Sequence, residues 1–232
     1  MTISQEHEST DDQDTTTNRD SILEVNNLTK IYPDGTVAVE DITFKIASGD
    51  FCVLIGPSGC GKSTTLHSLV GRFPITEGEI LLDGKDITDA ETYKRDIGLV
   101  FQDFQLFPHL SVRENIEYGL SQINVKGEER ERRIDEMIEV MDLEGMRGRL
   151  PEELSAGQKQ RVALARSLVL EPKLLLLDEP LGDMDYKLQK RMERELMRIH
   201  RNMDTTFVYV THDQTQAMRL GDQLVVMNDG KI

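Results

Sequence analysis

A glycine-rich turn at residues 56–63 constrains the fold more than any other feature of this 232-residue chain. It fits the pattern G-x-x-x-x-G-K-[ST] and lies between residues 50–55, which predict a buried strand, and residues 62–70, which predict a helix. A triphosphate needs several backbone N–H groups directed inward, and glycines allow that close approach. The N-terminus of the helix adds the positive end of a dipole. A simple glycine turn with an exposed lysine is the alternative, which the flanking strand and helix disfavour.

The individual residues of this turn have different expected roles. Lys62 is expected to reach the β- and γ-phosphates, and the Ser63 hydroxyl is expected to ligate Mg²⁺. Cys60 occupies an unspecified position of the pattern, and it needs no redox role because two cysteines make no disulfide framework. The predicted nucleotide contacts of the turn are Gly56, Pro57, Ser58, Gly59, Cys60, Gly61, Lys62, Ser63 and Thr64.

Two acidic residues follow a second buried strand, which is predicted by the aliphatic run at residues 174–177. Ligands of open α/β folds bind at the carboxyl edge of the sheet, where this strand delivers Asp178 and Glu179. We expect Asp178 to hold Mg²⁺, directly or through water, and Glu179 to act as the general base on the attacking water. An ordinary acidic loop is the alternative, and the phosphate-binding turn in the same chain disfavours it.

The order of predicted elements indicates an α/β fold with a mainly parallel sheet. Short strands are expected at residues 22–25 and 43–46 and further strands at 173–177 and 206–210, with helices at 128–142, 156–170 and 186–202. In the helix at 128–142, Ile134, Met137, Ile138 and Met141 recur at helical spacing and predict core packing.

Charge and hydropathy narrow the possible partners. The net charge is −15, and residues 1–20 form an acidic, polar segment that we expect to be disordered, with a single domain at residues 21–232. Phosphate contacts need Lys and Arg, so nucleic acid is not an expected partner. Both a halophilic host and ordinary solubility explain the acidity. No run of 18 apolar residues is present and the N-terminus has no apolar signal region, so a cytoplasmic protein is expected.

Residues 154–158 (Leu-Ser-Ala-Gly-Gln) resemble the signature of the ABC transporter ATPase family, usually written LSGGQ, with Ala156 replacing a glycine. The resemblance covers residues 22–232 and extends to four further matching residues. It implies that Tyr32 stacks on adenine, that Gln102 senses Mg²⁺ and the attacking water, and that His212 contacts the γ-phosphate. It also implies that Asp185 lies on a loop crossing a dimer interface, where Asp183 replaces the usual small residue.

The family architecture implied is a P-loop NTPase core with an antiparallel β-subdomain and an inserted α-helical signature subdomain at about residues 103–160. Two such subunits, here expected to form a homodimer, pair head to tail. ATP with Mg²⁺ then lies between one subunit's phosphate-binding turn and the partner copy's signature, which in this numbering is Ser155, Ala156, Gly157 and Gln158.

The segment from Phe104 to Val112 resembles the stretch that receives the coupling helix of importer permeases. The alternative is that its apolar residues only pack inside the helical subdomain. The resemblance implies a separate permease, an indirect solute-binding partner and a peripheral position at the cytoplasmic face of the cell membrane. Residues 185–192 look like those of polyamine importer ATPases, while related importers carry sugars, ferric iron, sulfate, molybdate or thiamine.

Two other functional classes fit this sequence less well than an importer ATPase: a soluble ABC ATPase that acts on DNA or ribosomes, and a non-enzymatic ATP-binding regulator. Chromosome-type relatives insert a long coiled coil between turn and signature, and translation-type relatives carry two ATPase units, neither of which this sequence shows. A non-enzymatic ATP-binding regulator is disfavoured because Glu179 and His212 are both present. Residues 230–232 are expected in the second arm of a hairpin, in either a truncated form or a compact family member.

Overall fold

A computed structural model describes residues 20–182 and 184–232. The predicted disordered segment, apart from Asp20, and the departure at position 183 lie outside the described residues. In chain order the strands are β1 (Ser21–Ile31), β2 (Val37–Ala47), β3 (Phe51–Ile55), β4 (Glu77–Leu82), β5 (Lys85–Asp86), β6 (Ile97–Val100), β7 (Leu174–Asp178), β8 (Thr206–Thr211) and β9 (Gln223–Val226). The α-helices are α1 (Lys62–Leu69), α2 (Val112–Gln122), α3 (Gly127–Val140), α4 (Ala156–Leu168), α5 (Tyr186–Arg201) and α6 (Gln214–Leu220).

A five-stranded parallel sheet forms the centre of the fold, with strand order β6-β7-β8-β3-β9. Its β3 and β7 strands are apolar on both faces because helices and a second sheet cover them. Parallel pairing brings the carboxyl ends of β6, β7, β8 and β3 to one edge, for example through the pairs Leu177–Tyr209 and Ile55–Thr211. The predicted α/β fold with a mainly parallel sheet is confirmed, and loops from four strands meet at this edge.

A four-stranded antiparallel sheet, in the order β2-β1-β4-β5, covers one side of the centre. Its β1 and β2 are 11 residues each, much longer than the four-residue strands predicted. The mostly polar residues at 26–30 gave no strand pattern, so the continuation of β1 was not predicted. In the structure β1 pairs on both sides, and it passes Asn27, whose φ is +50°, with shifts in register. The apolar face of this sheet shares one core with α1 and with one face of the parallel sheet.

Helices α2 to α5 enclose a second core on the other face of the parallel sheet. The predicted stripe of α3 is confirmed, since Ile134, Met137, Ile138 and Met141 are all buried. Helix α4 begins at the signature and ends at Leu168, two residues before the predicted end. Within residues 20–182 and 184–232, no helix is long and apolar enough to cross a bilayer.

Candidate functional site

The turn between β3 and α1 accepts only glycine at several positions. Gly59 and Gly61 have φ values of +81° and +103°, a region that L side chains rarely adopt. A Cβ atom at Gly56 would lie 2.1 Å from the Met227 carbonyl oxygen, and one at Gly61 would lie 2.7 Å from the Ala38 carbonyl oxygen. The backbone therefore bends as the sequence pattern predicts, and α1 begins directly after Gly61.

Lys62 is folded back over this turn with only 5% of its surface exposed. Its Nζ donates to the carbonyl oxygens of Gly56 and Pro57, both at 2.9 Å. The ammonium thus lies at a cavity of about 160 Å³, which is lined by Ala38, Ser58, Gly59, Gly61, Lys62, Ser63, Thr64 and Glu179. A buried cation beside a glycine-rich turn at a helix N-terminus suits phosphate oxygens.

Asp178 at the end of β7 lies against the same helix. Its Oδ1 accepts a hydrogen bond from the Ser63 hydroxyl at 3.3 Å, and its Oδ2 lies 3.8 Å from Nε2 of His67. Burial raises the pKa of the Asp178 carboxyl, while His67 and Ser63 act to lower it. Hydroxyl and carboxylate oxygens are the ligands that Mg²⁺ prefers, so the donor set fits that ion.

Three further loops bring Glu179, His212 and Gln102 together. Nδ1 of His212 lies 3.2 Å from Oε2 of Glu179. A Cβ atom at Gly182 would lie 3.3 Å from Nε2 of Gln102 and 3.7 Å from Oε2 of Glu179, so the amide and the carboxylate are neighbours. The left-handed backbone of Glu179, with φ of +44°, accompanies a hydrogen bond from its N–H to the Val210 carbonyl. A carboxylate with an imidazole in contact and an amide nearby is suited to orient a water molecule.

Tyr32 lies beside the first turn of α1. Its hydroxyl is 3.1 Å from the Thr64 hydroxyl, and its ring packs edge-on against Phe73 at 6.0 Å between centroids. The Lys30 ammonium lies 5.6 Å from the Tyr32 ring centroid. The partly buried ring is therefore held next to the glycine-rich turn.

The signature residues occupy a different place. Ser155 caps α4, accepting from the Gln158 N–H, while the Gln158 side chain accepts from the Ser155 N–H at 2.9 Å. Gly157 packs closely on α5, because a Cβ atom there would lie 3.1 Å from the Met192 sulfur. A cavity of about 420 Å³ beside them is lined by residues of α4 and α5 and shares no lining residue with the cavity at the phosphate-binding turn. The described chain brings the two sets of predicted contacts to separate cavities.

The segment at residues 104–112 is divided between the core and the surface. Phe104 and Leu106 pack against the helical core, as the inward-packing alternative predicts. Pro108 is exposed and Leu110 half-buried. The half-buried Phe107 ring lies 4.5 Å from the ring of Tyr118, which is 45% exposed. An apolar patch of Phe107, Pro108, Leu110 and Tyr118, here called the α2 patch, therefore faces outward.

Sequence reasoning missed His67 and Phe73. His67 follows Ser63 by four residues on α1, so helical spacing would have placed both side chains on one face. Phe73 contacts both the His67 ring and the Tyr32 ring. No sequence signal marks Phe73, because it lies in the irregular connection after α1.

Comparison with known proteins identifies similar chains along most of this length. A model of the family described as ABC transporter matches residues 39–182. The chain is 48% identical over 213 residues to the spermidine/putrescine import ATP-binding protein PotA of Acidothermus cellulolyticus, covering 90% of this chain and 56% of that protein. It is 43% identical over 217 residues to the Fe(3+) ions import ATP-binding protein FbpC of Mannheimia succiniciproducens, covering 94% and 62%.

A third relative is the sn-glycerol-3-phosphate import ATP-binding protein UgpC of Rhodopseudomonas palustris, 46% identical over 206 residues, covering 89% of this chain and 57% of that protein. The chain thus spans 56% to 62% of the length of these three relatives. Among solved structures, cbiO1 from Clostridium perfringens, part of the ABC transporter complex cbiONQ, aligns with a TM-score of 0.83 and 32% identity, covering 92% of this chain and 87% of that one. A dimeric, post-hydrolysis state of the ATP-binding cassette MJ0796 bound to ADP and Pi aligns with a TM-score of 0.77 and 34% identity, covering 90% and 96%.

Proposed function

Because this chain belongs to the ABC transporter family, we propose that it binds ATP with Mg²⁺ and hydrolyses the nucleotide as the ATP-binding subunit of an importer. The observation that carries the proposal is the convergence of four loops at one sheet edge. There Lys62 and Ser63 lie beside Asp178, and Glu179 lies beside His212 and Gln102. This arrangement supports phosphate binding on one side and water activation on the other.

Each side chain then has one task in hydrolysis. The Lys62 ammonium exchanges its two carbonyl partners for phosphate oxygens, which neutralises their charge. Glu179 takes the proton of the attacking water, and His212 and Gln102 orient that carboxylate and the water. Ser63 and Asp178 would hold Mg²⁺, which supplies charge neutralisation of the phosphates when bound. Tyr32 supplies the face on which adenine stacks.

The active form we propose is a head-to-tail pair of two copies of this chain. The separation of the signature cavity from the phosphate-binding turn supports it, because one chain alone presents each half at a different place. In the pair, Ser155, Gly157 and the α4 N-terminus of one copy would face the phosphates held by the other copy. The related cassette MJ0796 is itself dimeric in its state with ADP and Pi.

The membrane partner we propose is a separate permease, which docks on the α2 patch at the cytoplasmic face of the membrane. The outward position of Phe107, Pro108 and Leu110 supports this. A solute-binding protein would act only through the permease. The solute is proposed to be a polyamine, on the resemblance at residues 185–192 and the similarity to PotA, with sugar phosphates and ferric iron as alternatives because relatives named for them are nearly as similar.

Replacing Glu179 with Gln tests the proposed hydrolysis. Glu179→Gln keeps the shape but removes the base, so we expect ATP binding to persist while turnover falls by about 10²–10⁴-fold. The variant should also accumulate as an ATP-bound dimer, because hydrolysis no longer separates the copies. ATPase rate and size-exclusion chromatography with and without ATP measure both effects.

The matched control is Glu136→Gln on α3, whose side chain is 50% exposed and pairs with Arg132. It removes a carboxylate of the same size and should leave turnover and oligomeric state as in the wild type. Intact hydrolysis in Glu179→Gln would exclude Glu179 as the base.

A further inference from the structure

Arg166, in the last turn of α4, holds the backbone of the segment that follows Gln102. Its Nη1 donates to the Gln105 carbonyl oxygen at 2.8 Å and its Nη2 to the Phe104 carbonyl oxygen at 3.0 Å. The same guanidinium lies 5.2 Å from the Phe107 ring centroid. The planar fork of Arg is therefore engaged with two consecutive carbonyls and an aromatic ring, an arrangement that Lys cannot reproduce.

The backbone that Arg166 holds is an uncommon one. Phe104 and Gln105 have φ values of +59° and +43°, the left-handed region, although neither is glycine. Such conformations persist only where surrounding contacts fix them, and a bulky aromatic residue is rarely found there. The two carbonyls that Arg166 binds belong to these two residues, so its contacts act where the backbone is strained.

Helix α4 makes hydrogen bonds to the chain on both sides of Gln102, to residues 104 and 105 through Arg166 and to Leu99 through Ser167. Next to Arg166, the Ser167 hydroxyl donates to the Leu99 carbonyl oxygen at 3.3 Å, in the strand that leads to Gln102. Beyond the strained pair, the fully buried Asn115 of α2 donates to the carbonyl oxygens of Phe107, Leu110 and Ser111. At its other end, α4 is capped by Ser155 of the signature. One helix thus joins the signature to both flanks of Gln102.

We propose that Arg166 is a positioning residue for Gln102 and for the α2 patch. By holding Phe104 and Gln105 in the left-handed conformation, it sets where the chain leaves Gln102 and how Phe107 is presented at the surface. Through α4 it ties both to the signature, so the partner copy's nucleotide and the docked permease act on one rigid unit. This inference rests on the proposed function for the roles of Gln102 and the patch.

The test removes the guanidinium and then relieves the strain by a second substitution. In Arg166→Met, two charge-assisted hydrogen bonds no longer oppose local opening of residues 103–110. We therefore expect hydrogen exchange of these residues to become at least about tenfold faster. The kcat for ATP should fall about tenfold at unchanged KM, since Gln102 is displaced while Lys62 and Tyr32 are untouched. Adding Gln105→Asn should restore both values toward wild type, because Asn tolerates the left-handed conformation better than Gln.

The matched control is Arg130→Met on α3, which removes an arginine that donates to the Val125 carbonyl and to Glu117. It should change neither quantity. Unchanged exchange at residues 103–110 in Arg166→Met, or no rescue by Gln105→Asn in a variant with altered kcat, would overturn the proposal.

A second variant keeps the test decisive if Arg166→Met does not fold. Arg166→Lys retains the charge but replaces the two-nitrogen fork with a single ammonium nitrogen, so it should show the same changes at smaller amplitude with the same rescue. Wild-type exchange and kcat in Arg166→Lys would overturn the proposal. A wild-type chain without ATPase activity would instead refute the proposed function, and the exchange measurements would still decide the role of Arg166.

Discussion

At the residue scale, the Lys62 ammonium is held at the glycine-rich turn by the backbone of that turn. Lys62 is nearly buried, yet its hydrogen-bond partners among the described residues are two carbonyl oxygens and the more distant Cys60 sulfur. A phosphate can replace those neutral partners and gain a stronger, charge-assisted interaction. The lysine is thus held in place before the nucleotide arrives, which lowers the entropic cost of binding.

Replacing Lys62 with Ala should weaken ATP binding by about 10²–10⁴-fold, the worth of two charge-assisted hydrogen bonds. Titration calorimetry on the purified chain measures the affinity. Lys94→Ala is the control, because Lys94 is 60% exposed and, within residues 20–182 and 184–232, pairs with nearby Glu91 and Tyr93. Equal affinities in wild type and Lys62→Ala would refute the assignment of the phosphate-binding turn.

At the scale of elements, α2 both supports the segment at residues 104–111 and contributes to the α2 patch. Ser111 and Glu114 form a capping box at its start, and Asn115 one turn later binds the segment's carbonyls. Tyr118, one further turn along, packs on Phe107. The segment is therefore fixed by polar contacts to its backbone, so the outward side chains of Phe107, Pro108 and Leu110 remain available to a partner.

If the α2 patch binds the proposed permease, Leu110→Glu should weaken that docking while leaving the basal ATPase rate nearly unchanged. Burying Leu110 against a partner contributes roughly 1.5–3 kcal/mol when coverage is complete, and a charge reverses that gain. Retention of the chain on membrane vesicles of its host, solute uptake and basal ATPase should be measured on the same variant.

Ile123→Glu is the control for this substitution, because Ile123 is 55% exposed just after α2 and lies outside the α2 patch. Wild-type membrane retention and uptake in a folded Leu110→Glu protein would show that the α2 patch is not the docking surface. Joint loss of thermal stability and ATPase activity would show that the side chain serves packing alone.

At the scale of the whole molecule, His200 lies where α5 packs on the parallel sheet. It is 9% exposed, its ring contacts Phe51 and Phe207, and its Nε2 has no partner among the described residues. Burial lowers the pKa of its imidazole, with Arg201 acting in the same direction and Asp222, Asp50 and the Gly49 backbone opposing. The folded state therefore prefers the neutral ring.

The stability of the chain should fall as the pH drops below about 6.5, the ordinary pKa of histidine. Between that value and the lower folded-state pKa the unfolded chain binds more protons, so the free energy of unfolding rises with pH in that window. Urea denaturation from pH 5 to 8 should show a smaller decline in His200→Gln, which cannot titrate. An identical pH dependence in both proteins would contradict the assignment.

The predictable parts of the fold and site are those specified by residue types at fixed spacing within one short segment. The turn at residues 56–63 is predictable because glycines and a lysine are needed at fixed spacing, and α3 because its apolar residues follow the helical period. The roles of Arg166 and Asn115 are not predictable, because their partners are backbone carbonyls, which no side-chain pattern reveals. For Arg166 those carbonyls also lie more than 60 positions away along the chain. The long β1 was missed because pairing on both edges outweighs its polar composition.

The separation of the signature cavity from the phosphate-binding turn has a consequence for inheritance. In the proposed pair, each complete site takes one half from each copy, so a lesion in either half disables both sites of a uniform dimer. A mixed dimer of one chain defective at Lys62 and one defective at Ser155 places both lesions in a single site and leaves the other intact. Two alleles that each abolish function alone are therefore able to complement when expressed together, whereas two alleles of the same half are not.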